Sequence, residues 1–181
     1  MKKLAVVVLF LGLATQSFAQ SEDDYNQSEI KLNILNTIVQ GSVEIGYEYF
    51  IDRDQSIAVE YLINDRFGYN NQTDGKEYET SSLLVAYNFY FLEEYQTGSF
   101  YVYPFFKYRF GDFTEPGSNN NIVVTDMNSA ILGIGAGYKW VQRDKFAIAP
   151  YANISRGFSE EVSDRFSAVE VNAGISIGYR F

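Results

Sequence analysis

The sequence predicts an all-β chain, an eight-stranded antiparallel up-and-down transmembrane β-barrel, on three observations. Taken by twos from the C terminus, Phe181, Tyr179, Ile177, Ile175, Ala173 and Val171 form an unbroken apolar set, interleaved with Arg180, Gly178, Ser176, Gly174, Asn172 and Glu170. One face of that strand suits lipid and the other suits water or a polar lumen. Aromatic residues make up 17% of the chain, with 15 Tyr and 15 Phe against only 3 Pro, a composition that favours strands. Connections between the apolar-alternating segments are short and charged or long and polar by turns, as in a barrel with tight turns at one end and surface loops at the other.

The elements follow in order. Residues 1–19 read as a secretory signal peptide: Lys2 and Lys3, an apolar stretch from Leu4 to Leu13, then Ser17-Phe18-Ala19 ahead of Gln20. The stretch is too short to anchor as a helix. The chain has 0 Cys, so processing by acylation of a cysteine is excluded. Residues 20–27 are expected to be a short periplasmic N-terminal segment and residues 28–181 the barrel, a single domain.

Strands are expected at Glu29 to Leu35, Val43 to Phe50, Ser56 to Ile63, Thr80 to Leu92, Ser99 to Gly111, Ala130 to Trp140, Phe146 to Ser155 and Ala168 to Phe181. The first turns Ile30, Leu32 and Ile34 outward, and the fourth Leu83, Val85, Tyr87, Phe89 and Phe91. The sixth sets Ala130, Leu132, Ile134, Ala136, Tyr138 and Trp140 against Gly133, Gly135, Gly137 and Lys139. Ile51 to Gln55, Glu93 to Gly98 and Val141 to Lys145 are the short turns. Asn64 to Tyr78, Asp112 to Met127 and Arg156 to Ser167 are the long loops, and Asn36 to Ser42 is a brief one. Pro104 and Pro150 fall inside strands, where each deletes a ladder hydrogen bond, so a bulge or a position near the rim is expected for both.

An even strand number puts both chain ends at the periplasmic side. Tyr49, Phe91, Phe100, Tyr138, Trp140, Phe146, Tyr179 and Phe181 then form a periplasmic aromatic girdle, with Tyr61, Tyr108 and Phe110 near the opposite rim. Inward positions carry a charge network of Lys31, Lys107, Arg109, Lys139 and Arg180 against Glu44, Glu48, Glu60 and Glu170. Buried charges without partners cost several kcal/mol each, so this near-balanced set implies mutual pairing and a filled lumen. The glycines at 133, 135 and 137 are read as gaps for Tyr101, Tyr103, Phe105 and Tyr151.

On these residues the chain resembles the small outer-membrane β-barrel superfamily, the OmpA- and OmpX-like eight-stranded barrels and short barrels of unassigned function. The segments that carry the resemblance are Lys31-Leu32-Asn33-Ile34-Leu35, Gly133-Ile134-Gly135-Ala136-Gly137-Tyr138, Pro150-Tyr151 and the terminal Gly178-Tyr179-Arg180-Phe181. The terminal segment is similar to the strand that the barrel-assembly machinery recognises. The resemblance implies a fold and an outer-membrane location, with outer-membrane lipid and that machinery as partners, but no activity.

Composition removes several function classes. Without Lys2 and Lys3 there are 12 basic residues against 23 acidic ones, a formal charge of −11, which excludes nucleic acid as a partner. With 0 His and 0 Cys, the usual general base, nucleophile pairs and transition-metal ligands are missing, so no catalytic residue, metal ligand or cofactor is assigned. Gly133, Gly135 and Gly137 lack the following helix of a phosphate-binding loop. Asp65, Asp74, Glu77, Glu79, Asp112, Glu115 and Asp126 could attract a divalent cation but follow no calcium-loop pattern. Glu160, Glu161 and Asp164 suggest paired carboxylates, with no His to complete them.

The expected function is therefore non-enzymatic: a barrel with a salt-bridged lumen that presents polar surface loops for envelope integrity, adhesion or contact with a protein partner. The alternatives are a narrow channel or conduit for small or hydrophobic solutes, and an accessory subunit of a larger envelope complex. A soluble lipocalin-type barrel is the structural rival, with apolar residues inside and charges outside.

Overall fold

In a computed structural model, residues 27–65, 77–94, 98–117 and 121–181 are described. The expected signal peptide and all but Gln27 of the short segment after it lie outside them. The strands are β1 (Ser28–Asn33), β2 (Val43–Asp52), β3 (Gln55–Ile63), β4 (Glu77–Glu94), β5 (Gly98–Pro116), β6 (Ile122–Asp126), β7 (Ser129–Gln142), β8 (Phe146–Gly157) and β9 (Val169–Arg180). Eight of them pair antiparallel with their neighbours in chain order, and β1 with β9 closes the cylinder from Glu29↔Arg180 to Asn33↔Ser176. A row of paired residues that leaves β5 at Tyr108 runs through Leu83, Tyr61, Ile45, Leu32, Ile177, Ile148 and Trp140 and returns to β5 at Gly98, ten residues away. That stagger gives the strands the tilt a small closed barrel requires.

The two faces of the sheet are those of a barrel turned inside out. Outward positions such as Ile30, Ile45, Val59, Leu83, Phe106, Ile134 and Ile177 are 41–56% exposed, while Glu29, Glu48, Arg109 and Arg180 inside are at most 1% exposed. A lipocalin-type barrel would show the opposite. Strand parity explains the pattern, because each of these residues sits on the face that the period of two assigns to it.

Four expectations about the connections and prolines are corrected. The first strand ends at Asn33, not Leu35, because a helix α1 (Ile34–Gln40) begins there, and Ile34 belongs to it instead of to the outward face. The Asn33 side chain accepts from the Asn36 N–H at 3.1 Å, and Gly41 at φ 66° ends the helix in the left-handed conformation that glycine favours. The loop expected from Asp112 to Met127 is largely a hairpin, since β5 runs on to Pro116 and pairs with β6. Gly111, at φ 121°, marks the point where β5 exchanges β7 for β6, and a side chain there would meet the Glu79 carbonyl. The last long loop contains a short helix, α2 (Glu160–Arg165), whose Val162 packs under the hairpin against Phe113 and Met127.

Of the two outcomes expected for the prolines, a bulge or a position near the rim, the bulge does not form. Pro104 pairs in register with Ile134, and Pro150 with Ile175. On their other sides the ladders β4–β5 and β7–β8 skip two pairs and resume in the same register, so each proline opens a gap and not a bulge. Register shifts fall instead at Phe50/Asp52 and Phe91/Glu94, beside the short turns. In the three-residue connection after β7, Arg143 and Asp144, the central pair of a turn closed by Lys145 N–H to Gln142 C=O, both have positive φ, the twist that suits the flanking strands.

Candidate functional site

All nine residues expected in the charge network point into the lumen, and the structure groups six of them in two clusters, with Lys31, Glu44 and Glu60 around a cavity between. At the end of the short turns, Lys139 Nζ lies 3.1 Å from Glu29 Oε1 and 2.8 Å from Glu48 Oε2, and Arg180 Nε donates to Glu29 Oε2 at 2.9 Å. Glu48 Oε1 accepts from Ser56 Oγ at 2.6 Å, from Asn88 Nδ2 at 3.1 Å and from the Tyr90 hydroxyl. The Arg180 guanidinium also stacks 4.6 Å from the centre of the Phe50 ring, and Lys139 lies between Phe50 and Tyr90.

At the end of the long connections, Arg109 binds Glu170 through two parallel bonds of 2.8 and 2.9 Å and donates from Nε to Asp65 at 2.9 Å. Lys107 adds contacts of 3.1 Å to Asp65 and 3.4 Å to Glu170, and Ser82 donates to Asp65 at 2.5 Å. The fork geometry of a guanidinium against a carboxylate is among the strongest side-chain pairings.

Lys31 crosses the middle, 2.6 Å from Glu60 and 3.4 Å from Glu48. Glu44 is different from the other eight residues. It makes no ion pair among the described residues and is held by neutral donors: Asn33 at 2.7 Å, Asn36 at 2.6 Å and the Tyr151 hydroxyl at 3.0 Å. Beside it a cavity of about 40 Å³ remains, room for no more than a few waters.

A ladder of rings fills the rest of the lumen. Phe50, Tyr90, Tyr101, Tyr103 and Phe105 follow one another at centroid distances of 5.4–5.9 Å. Three of these rings lie over the glycines of β7: Tyr101 over Gly137, Tyr103 over Gly135 and Phe105 over Gly133. A methyl group at Gly135 would come within 2.2 Å of the Tyr103 ring, so the ladder exists only because that strand face is bare.

Two lumen carboxylates are absent from the sequence assignment. Glu29 is 1% exposed, and its parity with Lys31 was a signal that its place at the strand's start obscures. Asp65 follows β3 and was counted with the loop acids, yet its side chain turns inward to Arg109. Of the other acids considered for a cation, Asp74 lies outside the described residues, Asp112 and Asp126 are exposed cross-strand neighbours, and Glu77 and Glu79 are exposed on β4. Glu160 and Glu161 are exposed on the first turn of α2.

The eight residues of the expected aromatic girdle all face outward at the short-turn end and are 37–59% exposed. Three ring pairs link them: Phe91 with Phe100 at 6.2 Å, Tyr138 with Trp140 at 4.7 Å and Phe146 with Tyr179 at 5.5 Å.

Comparison with protein-family models and with curated protein sequences finds no match. Comparison with solved structures does. The N-terminal β-barrel domain of OprF from Pseudomonas aeruginosa superposes with a TM-score of 0.59 at 17% identity, over 87% of this chain and 98% of that one. Neisserial surface protein A gives 0.51 at 15% identity over 84% and 91%, and Ail, the attachment invasion locus protein of Yersinia pestis, gives 0.51 at 13% over 87% and 99%. The chain therefore has the closed eight-stranded antiparallel fold of the small outer-membrane barrels.

Proposed function

We propose that the protein is a non-enzymatic outer-membrane barrel that presents its long connections at the cell surface while its lumen is closed to solutes. The observation that carries this reading is the lumen itself: each of the five cations found there among the described residues, Lys31, Lys107, Arg109, Lys139 and Arg180, is paired with a buried carboxylate. Those bonds run from strand to strand across the barrel, so a solute would have to break them in series. The continuous apolar outer belt supports a lipid environment, since soluble monomers rarely expose so large a patch. With the short turns periplasmic, the β5–β6 hairpin and α2 lie outside, and the names of two barrels of this fold, a surface protein and an attachment protein, belong to surface-exposed roles.

The chain's 1 Trp reports on this placement. Trp140, 49% exposed at the short-turn end, is expected to be quenched strongly by lipids brominated near the headgroup and weakly by lipids brominated at the chain end. Equal quenching by both, or none, would contradict the girdle.

Surface presentation is tested by trimming. Residues 66–76 and the hairpin from Thr114 to Val124 are replaced by short Gly-Asn linkers, which spares Asp65 and Phe113. Cells carrying the trimmed barrel at normal levels are expected to match a deletion strain in adhesion and detergent resistance, whereas cells carrying the full-length barrel at the same level stay like the wild type. A trimmed barrel that behaves like the wild type rules the reading out.

A further inference from the structure

Among the described residues, the barrel wall lacks a strand beside the first half of β9. β1 stops at Asn33, opposite Ser176, while β9 continues through Val169–Ile175, seven residues with no strand on that side. Ser28 and Phe181 exchange both backbone bonds, so by alternation the N–H and C=O groups of Ile175, Ala173 and Val171 point into the gap. The helix α1 occupies it, packed against β9 and β2. At seven residues it leaves its end groups to caps: the Asn33 side chain accepts from the Asn36 N–H, and the Gly41 and Ser42 N–H groups donate to the Asn36 carbonyl. At the lips of the gap, Ile38 is 82% exposed and Val171 72%.

On the lumen side, beside the Asn33 cap of α1, lies the cavity of about 40 Å³, lined there by Asn33, Glu44, Tyr151, Asn153, Asn172 and Ser176, and Asn36 of α1 reaches Glu44 and Asn172 at its edge. Glu29 and Asp65 bring the lumen carboxylates among the described residues to six, against five cations, and the one left without a cation is Glu44. Its Oε1 accepts a single bond, from Asn36 of α1, and so retains acceptor capacity. The same two asparagines, Asn33 and Asn36, tie α1 to the wall through Glu44.

We propose that the gap is a lateral binding site for an amphiphile with a primary-amine head: the ammonium pairs with Glu44, the apolar tail lies outside between Ile38 and Val171, and α1 yields as the head enters. The cavity lining also carries Lys31 and Lys107, but both are already paired with carboxylates, so an anionic head would meet Glu44 and Glu60 with no free cation beside them, and a neutral one would leave Glu44 without a countercharge. The inference uses the lipid placement of the wall and goes beyond surface presentation. Insertion is read separately by Trp140 quenching, so a failure of that placement shows there.

The test is a titration of the folded, micelle-embedded protein with dodecylamine and with dodecanol, followed by NMR. Dodecylamine is expected to shift the side-chain amide signals of Asn33 and Asn36 and the methyls of Val171 saturably, at least tenfold more tightly than dodecanol. Glu44→Gln removes that preference, and Val171→Trp, which blocks the lip without touching the lumen, weakens binding of both. Equal affinity for the two amphiphiles, an unchanged preference in Glu44→Gln, or shifts spread evenly around the apolar belt overturns the proposal. If Glu44→Gln does not fold, Val171→Trp decides: amine binding that is undiminished also overturns it.

Discussion

Arg109→Ala is expected to lower the unfolding free energy of the reconstituted barrel by about 3–5 kcal/mol, the range for removing one partner of a buried ion pair. Arg109 is 0% exposed and is shared by Glu170 and Asp65, so its loss leaves two buried carboxylates facing Lys107 alone. Arg109→Lys restores the charge but not the fork, and should recover only part of the loss. Urea unfolding followed by loss of heat-modifiable gel migration measures both variants. A cost under about 1 kcal/mol for Arg109→Ala would mean that this cluster is solvated and holds nothing closed.

Gly135→Val is the second large effect. Its side chain would be driven into the Tyr103 ring, which is itself stacked between Tyr101 and Phe105, so relief by moving one ring displaces the others. Overpacking of this kind costs about 1–3 kcal/mol and sometimes more. Tyr103→Ala in the same chain should cancel much of the cost, because the two changes act on one contact. Additive losses in that double mutant would show that the strain lies elsewhere, for example in the β7 backbone.

Much of this architecture was legible because a strand offers only two faces. Once Phe181 to Val171 fixed one parity, the same rule placed Lys31, Glu48, Lys107, Arg109 and Lys139 inside without any knowledge of their partners. What escaped was decided by side chains acting on the backbone or by closure in space. Ile34, Leu35, Thr37, Ile38 and Val39 read as strand or loop residues by propensity, yet Asn33 as cap and Gly41 as terminator make them a helix. β6 lay in a segment whose Asn and Gly suggested a loop, and only the Ile122 to Thr125 run carried a strand signal. Asp65 sits past the end of its strand, where parity no longer applies. The prolines were tolerated because each spoils one ladder and leaves the other intact, which a single sequence cannot distinguish from a bulge.

The closed lumen is the claim on which the functional reading depends, and planar-bilayer recording of the purified, refolded barrel tests it most directly. The wild type is expected to give no steady conductance, with Glu48 and Arg109 engaged at opposite ends of the cavity. A steady wild-type conductance that shifts when Arg109 or Glu48 is replaced would contradict the account and make the barrel a channel.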